Sequence, residues 1–213
     1  MLVSISTMPA GENYLEYVKR VENYADFMHL DVCDGVYNET TCFSPNFAKV
    51  INQNSTIPLD CHLMTKSPLA QAENYILAGA NIITAQIEAF NSSAEIEEYI
   101  KYIKAHNALV GLSIEPETTI DSVLDYVSKI DVLLLMSVKT GKSGQSFNDA
   151  VVNKIYCLKK LKEQNGYKFK IEVDGGINGE TVSLVKRAGA DIVVSGNFVY
   201  KSSNVEYAIN QLK

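Results

Sequence analysis

The 213-residue chain has no tryptophan, which decides nothing, but its other scarcities exclude whole classes of function. Its 19 basic residues are outnumbered by 25 acidic ones, a net charge of −6, and no basic cluster interrupts that balance. A protein that tracks a phosphate backbone needs such a cluster, so nucleic acid is not an expected partner, and an anionic substrate would need a local positive pocket. None of the four cysteines forms a C-x-x-C pair, and Cys33 and Cys61 fall inside apparent strands. Reduced thiols are therefore expected instead of disulfides or a zinc knuckle. No apolar run approaches the ~20 residues of a membrane span, and the N-terminus lacks the basic flank and apolar stretch of a signal peptide. No membrane partner and a cytoplasmic setting are expected.

What is present is ordinary globular composition, 46% hydrophobic and 21% charged, enough for one well-buried core. One domain over residues 1–213 is the expectation. Apolar runs at 2–6, 26–32, 57–64, 82–87, 108–114, 131–138, 169–174 and 192–194 alternate with helical patterns. Among the latter are 13–24, a helix opened by Ser44-Pro45, another opened by Ser67-Pro68, and stretches at 94–106, 118–127 and 148–163. Ala188-Gly189-Ala190-Asp191-Ile192 echoes Ala78-Gly79-Ala80-Asn81-Ile82, with a fainter echo at Tyr24-Ala25-Asp26-Phe27. Eight strands and eight helices at a repeat of roughly 25 residues predict parallel strands joined by helical crossovers. Polar residues fall at the C-terminal ends of many strands, as the single rim of a closed (β/α)8 TIM barrel requires, instead of at one switch point.

In His29-Leu30-Asp31-Val32-Cys33-Asp34-Gly35 the two-residue period puts His29, Asp31 and Cys33 on one face, and Leu30 and Val32 on the other. Asp60-Cys61-His62-Leu63-Met64 repeats that logic, and Ile171-Glu172-Val173-Asp174 ends a strand in an acid before Gly175-Gly176. Each His alone reads as a satisfied core residue and each Asp as a helix cap. Together, at matching strand ends, His29, Asp31, His62 and Asp174 point to one divalent ion, with zinc, iron, manganese or cobalt compatible with the donors. Two carboxylates facing across a barrel mouth suit inversion of a carbon next to a carbonyl, because one acid-base group is needed on each face of a planar enediolate. Asp31 and Asp174 are that candidate pair. Cys33, Met64 and Met136 read as packing, or as a dry polarizable wall beside the reacting atoms.

Three glycine-bearing turns follow the last three strands: Gly141 to Gly144, Gly175-Gly176 and Ser195-Gly196-Asn197. Glycine suits any tight loop, yet three such loops on one rim favour phosphate. Gly141-Lys142-Ser143 resembles the end of a nucleotide P-loop, but Met136 stands where the first glycine of that motif belongs.

Taken in order, Ser4-Ile5, His29 through Gly35, Leu59 through Met64, Met136-Ser137-Val138, Gly144-Gln145-Ser146-Phe147 and Glu172 through Gly176 resemble the ribulose-phosphate 3-epimerase family over essentially the whole chain. The resemblance implies a metal-dependent barrel enzyme that inverts carbon 3 of a ketose phosphate, usually between D-ribulose 5-phosphate and D-xylulose 5-phosphate. It implies His29, Asp31, His62 and Asp174 as metal ligands, with Asp31 and Asp174 also the acid-base pair. Ser4, His62 and Met64 would contact substrate, and Gly144, Gly175, Gly176, Gly196 and Asn197 stand where the family holds phosphate. A homo-oligomer is expected.

Departures lie mostly in the loops. Val36-Tyr37-Asn38-Glu39-Thr40 replaces a stretch with His, Pro and Asn; Gln86 replaces a His, Cys33 a Met and Asn197 a Ser. Lys139-Thr140-Gly141-Lys142-Ser143-Gly144 replaces Asn-Pro-Gly-Phe-Gly-Gly, and its lysines either bring charge to phosphate or are solvated. An allulose-6-phosphate 3-epimerase and a ligand-binding paralogue without turnover are the alternatives. A barrel decarboxylase would carry Asp-x-Lys-x-x-Asp, and His62 stands in place of that Lys.

Overall fold

The computed structural model describes residues 1–142 and 144–213, and every expected strand is present. In chain order these are β1 (Leu2–Ser6), β2 (Phe27–Asp34), β4 (Leu59–Met64), β5 (Ile82–Gln86), β6 (Leu109–Ile114), β7 (Val132–Met136), β8 (Lys170–Asp174) and β9 (Ile192–Ser195). A short β3 (Thr41–Cys42) folds back antiparallel on the end of β2. The eight long strands pair in parallel as β1-β2-β4-β5-β6-β7-β8-β9, and β9 returns to β1, which closes a (β/α)8 barrel.

The crossovers are α1 (Tyr14–Val21), α2 (Pro45–Asn54), α3 (Pro68–Leu77), α4 (Ser93–Ala105), α5 (Ala150–Asn165), α6 (Val182–Ala188) and, after β9, α7 (Asn197–Tyr200) with α8 (Val205–Leu212). The helix expected over 118–127 is corrected to a single 3-10 turn, Ile120–Val123, followed by further turns. Its Thr, Ser, Asp and Val residues are poor helix formers that bond locally or lose rotamers in a helix. Burial of Val123, Tyr126, Val127 and Ile130 holds the segment on the barrel without a helix.

Alternation along the strands sorts the side chains. Leu30, Val32, Cys61, Leu63, Leu133, Leu135, Ile171 and Val173 face outward into the core shared with the helices. The opposite set, including Ser4, His29, Asp60, His62, Thr84 and Glu172, faces inward and is fully buried. A barrel interior this polar must be internally bonded or hold a ligand, since each unpaired buried polar group costs ~1–3 kcal/mol.

The sequence echoes mark the N-terminal end of the barrel. The carboxylates of Asp26, Asp131 and Asp191 and the amide oxygen of Asn81 accept from the backbone N–H of Val3, Val110, Ile171 and Leu59 at 2.8–2.9 Å. Each of these acceptors precedes one strand and clamps the start of the neighbouring strand. Repetition there belongs to stability, and the opposite rim is left for chemistry.

Candidate active site

The strands β2 and β4 carry the core of the site. Their register sets Asp31 beside His62 and His29 beside Asp60, so the period-two pattern of two strands brings four polar side chains together inside the barrel. Asp174 arrives from the end of β8, which β9 and β1 separate from β2 on one side. One ligand atom from each of His29, Asp31, His62 and Asp174 lies within 4.8 Å of all the others.

Each imidazole is held from behind. Nδ1 of His29 lies 2.7 Å from Oδ2 of Asp60, which also accepts the Ser4 hydroxyl at 2.8 Å. With its amide oxygen towards His62, Gln86 accepts from Nε2–H at 3.1 Å, and its nitrogen donates to Glu88 at 2.9 Å and to the Ser113 carbonyl at 3.3 Å. The nitrogens left over, Nε2 of His29 and Nδ1 of His62, are buried with no hydrogen-bond partner among the described residues. These orphaned nitrogens sit with two carboxylates, a nitrogen and oxygen set that fits a divalent transition metal. Outer partners such as Asp60 and Gln86 fix the ring orientation that coordination requires. Gln86, where the chain departs from the family pattern, thus supports His62.

The charge states follow from burial and neighbours. Burial and then the His29 charge push His62 down to about 4, so it is neutral and ready to donate its lone pair. Burial also opposes charge on His29, but the Asp60 and Asp31 carboxylates outweigh it and hold that imidazole well above its usual range. Asp174 is pushed up to about 7 by burial and by Asp31. Asp31 is held down because the neighbouring imidazoles and the Ser6 hydroxyl, which donates to Oδ2 at 2.8 Å, overcome its burial. Beneath them, burial and Asp60 keep Glu172 well above the carboxylate range.

Above this cluster opens a cleft of about 820 Å³. Asp31, Met64, Asp174, Gly144, Gly175, Gly176, Gly196 and Asn197 all line it, and so do Lys139 and Lys142. His29 and His62 lie under its floor, and Ser4 is a layer lower, bonded to Asp60. Ser6, which the sequence reading did not single out, stands at the cleft beside Asp31. Asp60 was visible on the inward face of its strand, but only the pairing of β2 with β4 reveals what it touches.

The glycine loops press together at one end of the cleft. Gly176 has φ +63°, and a Cβ there would lie 2.5 Å from the backbone nitrogen of Phe147, so only glycine allows the β7 and β8 loops to meet. The departing loops are also joined. The Thr40 hydroxyl donates to the Gly141 carbonyl at 2.7 Å, while the Tyr37 hydroxyl and the Thr140 backbone N–H both donate to Glu115, at 3.4 and 3.2 Å. Ser143 lies outside the described residues.

Comparison with known proteins agrees with this architecture. The family model described as the ribulose-phosphate 3 epimerase family matches residues 3–200. The ribulose-phosphate 3-epimerase of Bacillus subtilis is 33% identical over 190 residues, covering 89% of this chain and 86% of that one. The enzyme of the same name from Chlamydia pneumoniae is 33% identical over 209 residues, 96% and 90% of the two chains. Among solved structures, a 3-hexulose-6-phosphate synthase aligns over 100% of this chain and 98% of that one with a TM-score of 0.72 at 18% identity. A 3-keto-L-gulonate-6-phosphate decarboxylase from Vibrio cholerae gives 0.72 at 14% identity, with 100% and 94% covered. Those two likenesses show the shared barrel alone.

Proposed function

Because the chain belongs to the ribulose-phosphate 3-epimerase family, and is an isomerase of that family, we propose that it interconverts D-ribulose 5-phosphate and D-xylulose 5-phosphate. In this reading residues 1–213 act as one cytoplasmic enzyme domain. The observation that carries the reaction type is that Asp31 and Asp174, on strands separated by others in both directions around the barrel, line one cleft.

His29, Asp31, His62 and Asp174 would hold one divalent ion. Such an ion supplies positive charge and Lewis acidity next to the carbonyl and neighbouring hydroxyl of a ketose. The protein side chains do the rest. The ionised carboxylate of one aspartate takes the proton from carbon 3 on its face of the sugar, giving a planar enediolate. The carboxylic acid of the other returns a proton from the opposite face, and the configuration inverts. Ser6 bonds Oδ2 of Asp31 and keeps that carboxylate aimed. Met64 and Met136 line the cleft and exclude water next to the reacting carbon. The turns at Gly144, Gly175-Gly176 and Gly196-Asn197 offer backbone N–H groups for phosphate, with Lys139 and Lys142 adding charge on the same side.

The test is proton exchange. Metal-loaded protein in deuterated water, given ribulose 5-phosphate or, separately, allulose 6-phosphate, is followed by NMR for deuterium at carbon 3 and for product. Labelled xylulose 5-phosphate formed faster than any hexulose product is the expected result. Faster exchange into the hexulose would reassign the substrate. Exchange into neither, by folded and metal-bound protein, would overturn the reading in favour of a binding protein.

A further inference from the structure

His29 and His62 each turn one nitrogen to the cluster, but only His29 has a carboxylate directly behind it. His62 has Gln86, and an amide can offer either its oxygen or its nitrogen. The choice matters because a neutral imidazole carries one proton, and only the nitrogen without it can ligate. An amide nitrogen towards Nε2 would use the lone pair there, put the proton on Nδ1 and close His62 to an ion. An amide oxygen towards Nε2 draws the proton to that side and leaves the Nδ1 lone pair facing the cluster.

The far side of the amide settles the choice. Gln86 is fully buried, and both groups beyond it are acceptors, Glu88 Oε2 at 2.9 Å and the Ser113 carbonyl at 3.3 Å. The amide nitrogen must turn to them. Of the two, the carboxylate is nearer and charged, and a charged acceptor holds a donor about twice as strongly as a neutral one. Glu88 is itself fixed. Its Oε1 accepts the Glu115 backbone N–H at 2.9 Å and the Thr118 hydroxyl. The ammonium of Lys154, on α5, braces the same turn by donating to the carbonyls of Pro116 and Thr118 at 2.7 Å and of Glu115 at 3.1 Å.

We propose that Glu88 is a positioning residue for the metal site: acting through Gln86, it holds the ring proton of His62 on Nε2 and keeps Nδ1 open to an ion. Glu88 does not line the cleft, so its effect reaches the site along this chain of three side chains. The inference rests on His62 as a ligand and not on any sugar as substrate.

Glu88→Gln separates this role from packing. The new amide keeps the shape of the carboxylate, and the Glu115 N–H claims its oxygen. Its nitrogen then faces Gln86, which must turn its own oxygen away from His62, and the ring proton moves to Nδ1. Combining Gln86→Glu with Glu88→Gln reverses the pair at unchanged net charge. A carboxylate then stands behind His62 and returns the proton to Nε2.

The test uses the full chain with isotope-labelled histidine and long-range proton–nitrogen NMR, which separates the two tautomers. The protein is read first stripped of metal and then titrated with zinc against a chromophoric chelator. Its three histidines, His29, His62 and His106, are assigned by single substitutions to Gln. His62 is expected to carry its proton on Nε2. Glu88→Gln should move that proton to Nδ1 and weaken zinc binding about 10- to 100-fold, the usual cost of losing a ligand's outer partner. The double variant should restore both, with His29 unchanged throughout. A proton on Nδ1 before any substitution, an unchanged tautomer in Glu88→Gln, or weaker zinc binding without a change of tautomer would each overturn the proposal. If Glu88→Gln does not fold, Glu88→Met replaces it and should leave a mixture of tautomers; Nε2–H alone would assign the amide to Ser113 and overturn the role of Glu88. Failure of the unsubstituted protein to bind zinc would overturn the link to an ion. Failure to exchange deuterium into either sugar would count against the epimerase reading alone, since the tautomers are read without sugar.

Discussion

Oδ2 of Asp60 lies 2.7 Å from Nδ1 of His29, and this contact decides which nitrogen of the imidazole faces the cluster. The carboxylate holds the proton on Nδ1 and leaves Nε2 as the nitrogen turned to the cluster, which would ligate an ion once its own proton is displaced. Asp60→Asn keeps the volume and removes the charge, so affinity for a divalent ion should fall about 10- to 100-fold. Competition against a chromophoric chelator measures it, and unchanged affinity would show that Asp60 does not orient His29.

The two-carboxylate mechanism predicts that Asp31→Asn and Asp174→Asn each lower turnover by about 100- to 10,000-fold, the usual worth of general acid-base catalysis. Circular dichroism should remain that of the barrel, since both carboxylates line the cleft and Asn keeps the volume of Asp. Near-normal epimerisation by either variant would rule the pair out.

Removal of divalent ions by a chelator should abolish activity and lower the melting temperature. An ion that binds only the folded chain at a hundred times its dissociation constant adds about 2.7 kcal/mol of stability. Affinity should depend on pH in one direction. Asp174, raised to about 7 by burial and Asp31, and His29, held well above its usual range against its burial by Asp60 and Asp31, both bind protons that coordination displaces. Affinity should therefore weaken as pH falls below about 7 and go on rising above it until His29 is neutral. Isothermal titration at several pH values checks the sign, and affinity that strengthens on acidification would refute it.

Gly176→Ala should disturb the phosphate end of the cleft. A side chain at φ +63° that meets the backbone of Phe147 must push the β7 and β8 loops apart. A loss of more than ~1 kcal/mol of stability is expected, with a raised KM for the sugar phosphate. Urea denaturation and steady-state kinetics test the two effects separately.

At the opposite end of the barrel, Asp131→Ala should leave the Val110 N–H without its carboxylate partner. The expected cost is about 1–3 kcal/mol with turnover unchanged, because the clamp lies at the strand starts and not at the rim. A fall in kcat at saturating substrate would show that the two ends are coupled.

The amino-acid sequence by itself determined the eight strands, because their apolar runs and two-residue alternation report burial on each face directly. It also marked His29, Asp31, His62 and Asp174, since polar residues on an inward face are conspicuous within a single strand. Its echo of Asn81 and Asp191 announced a repeated unit, though not that these side chains clamp the neighbouring strand. Tertiary structure alone decided what lay between strands. The register of β2 on β4 gave His29 its Asp60 and brought Cys33 close to Met64, and closure of β9 on β1 placed Ser4 under the site. The helical pattern expected over 118–127 did not form because its Thr, Ser, Asp and Val residues disfavour a helix, and burial of Val123, Tyr126, Val127 and Ile130 holds the segment on the barrel without one. The joining of the departing loops through Thr40 and Gly141 spans 101 residues, a separation at which no local pattern carries information. Periodicity records how each strand meets its surroundings; only the closed barrel fixes which strands meet, and therefore which side chains share a cleft.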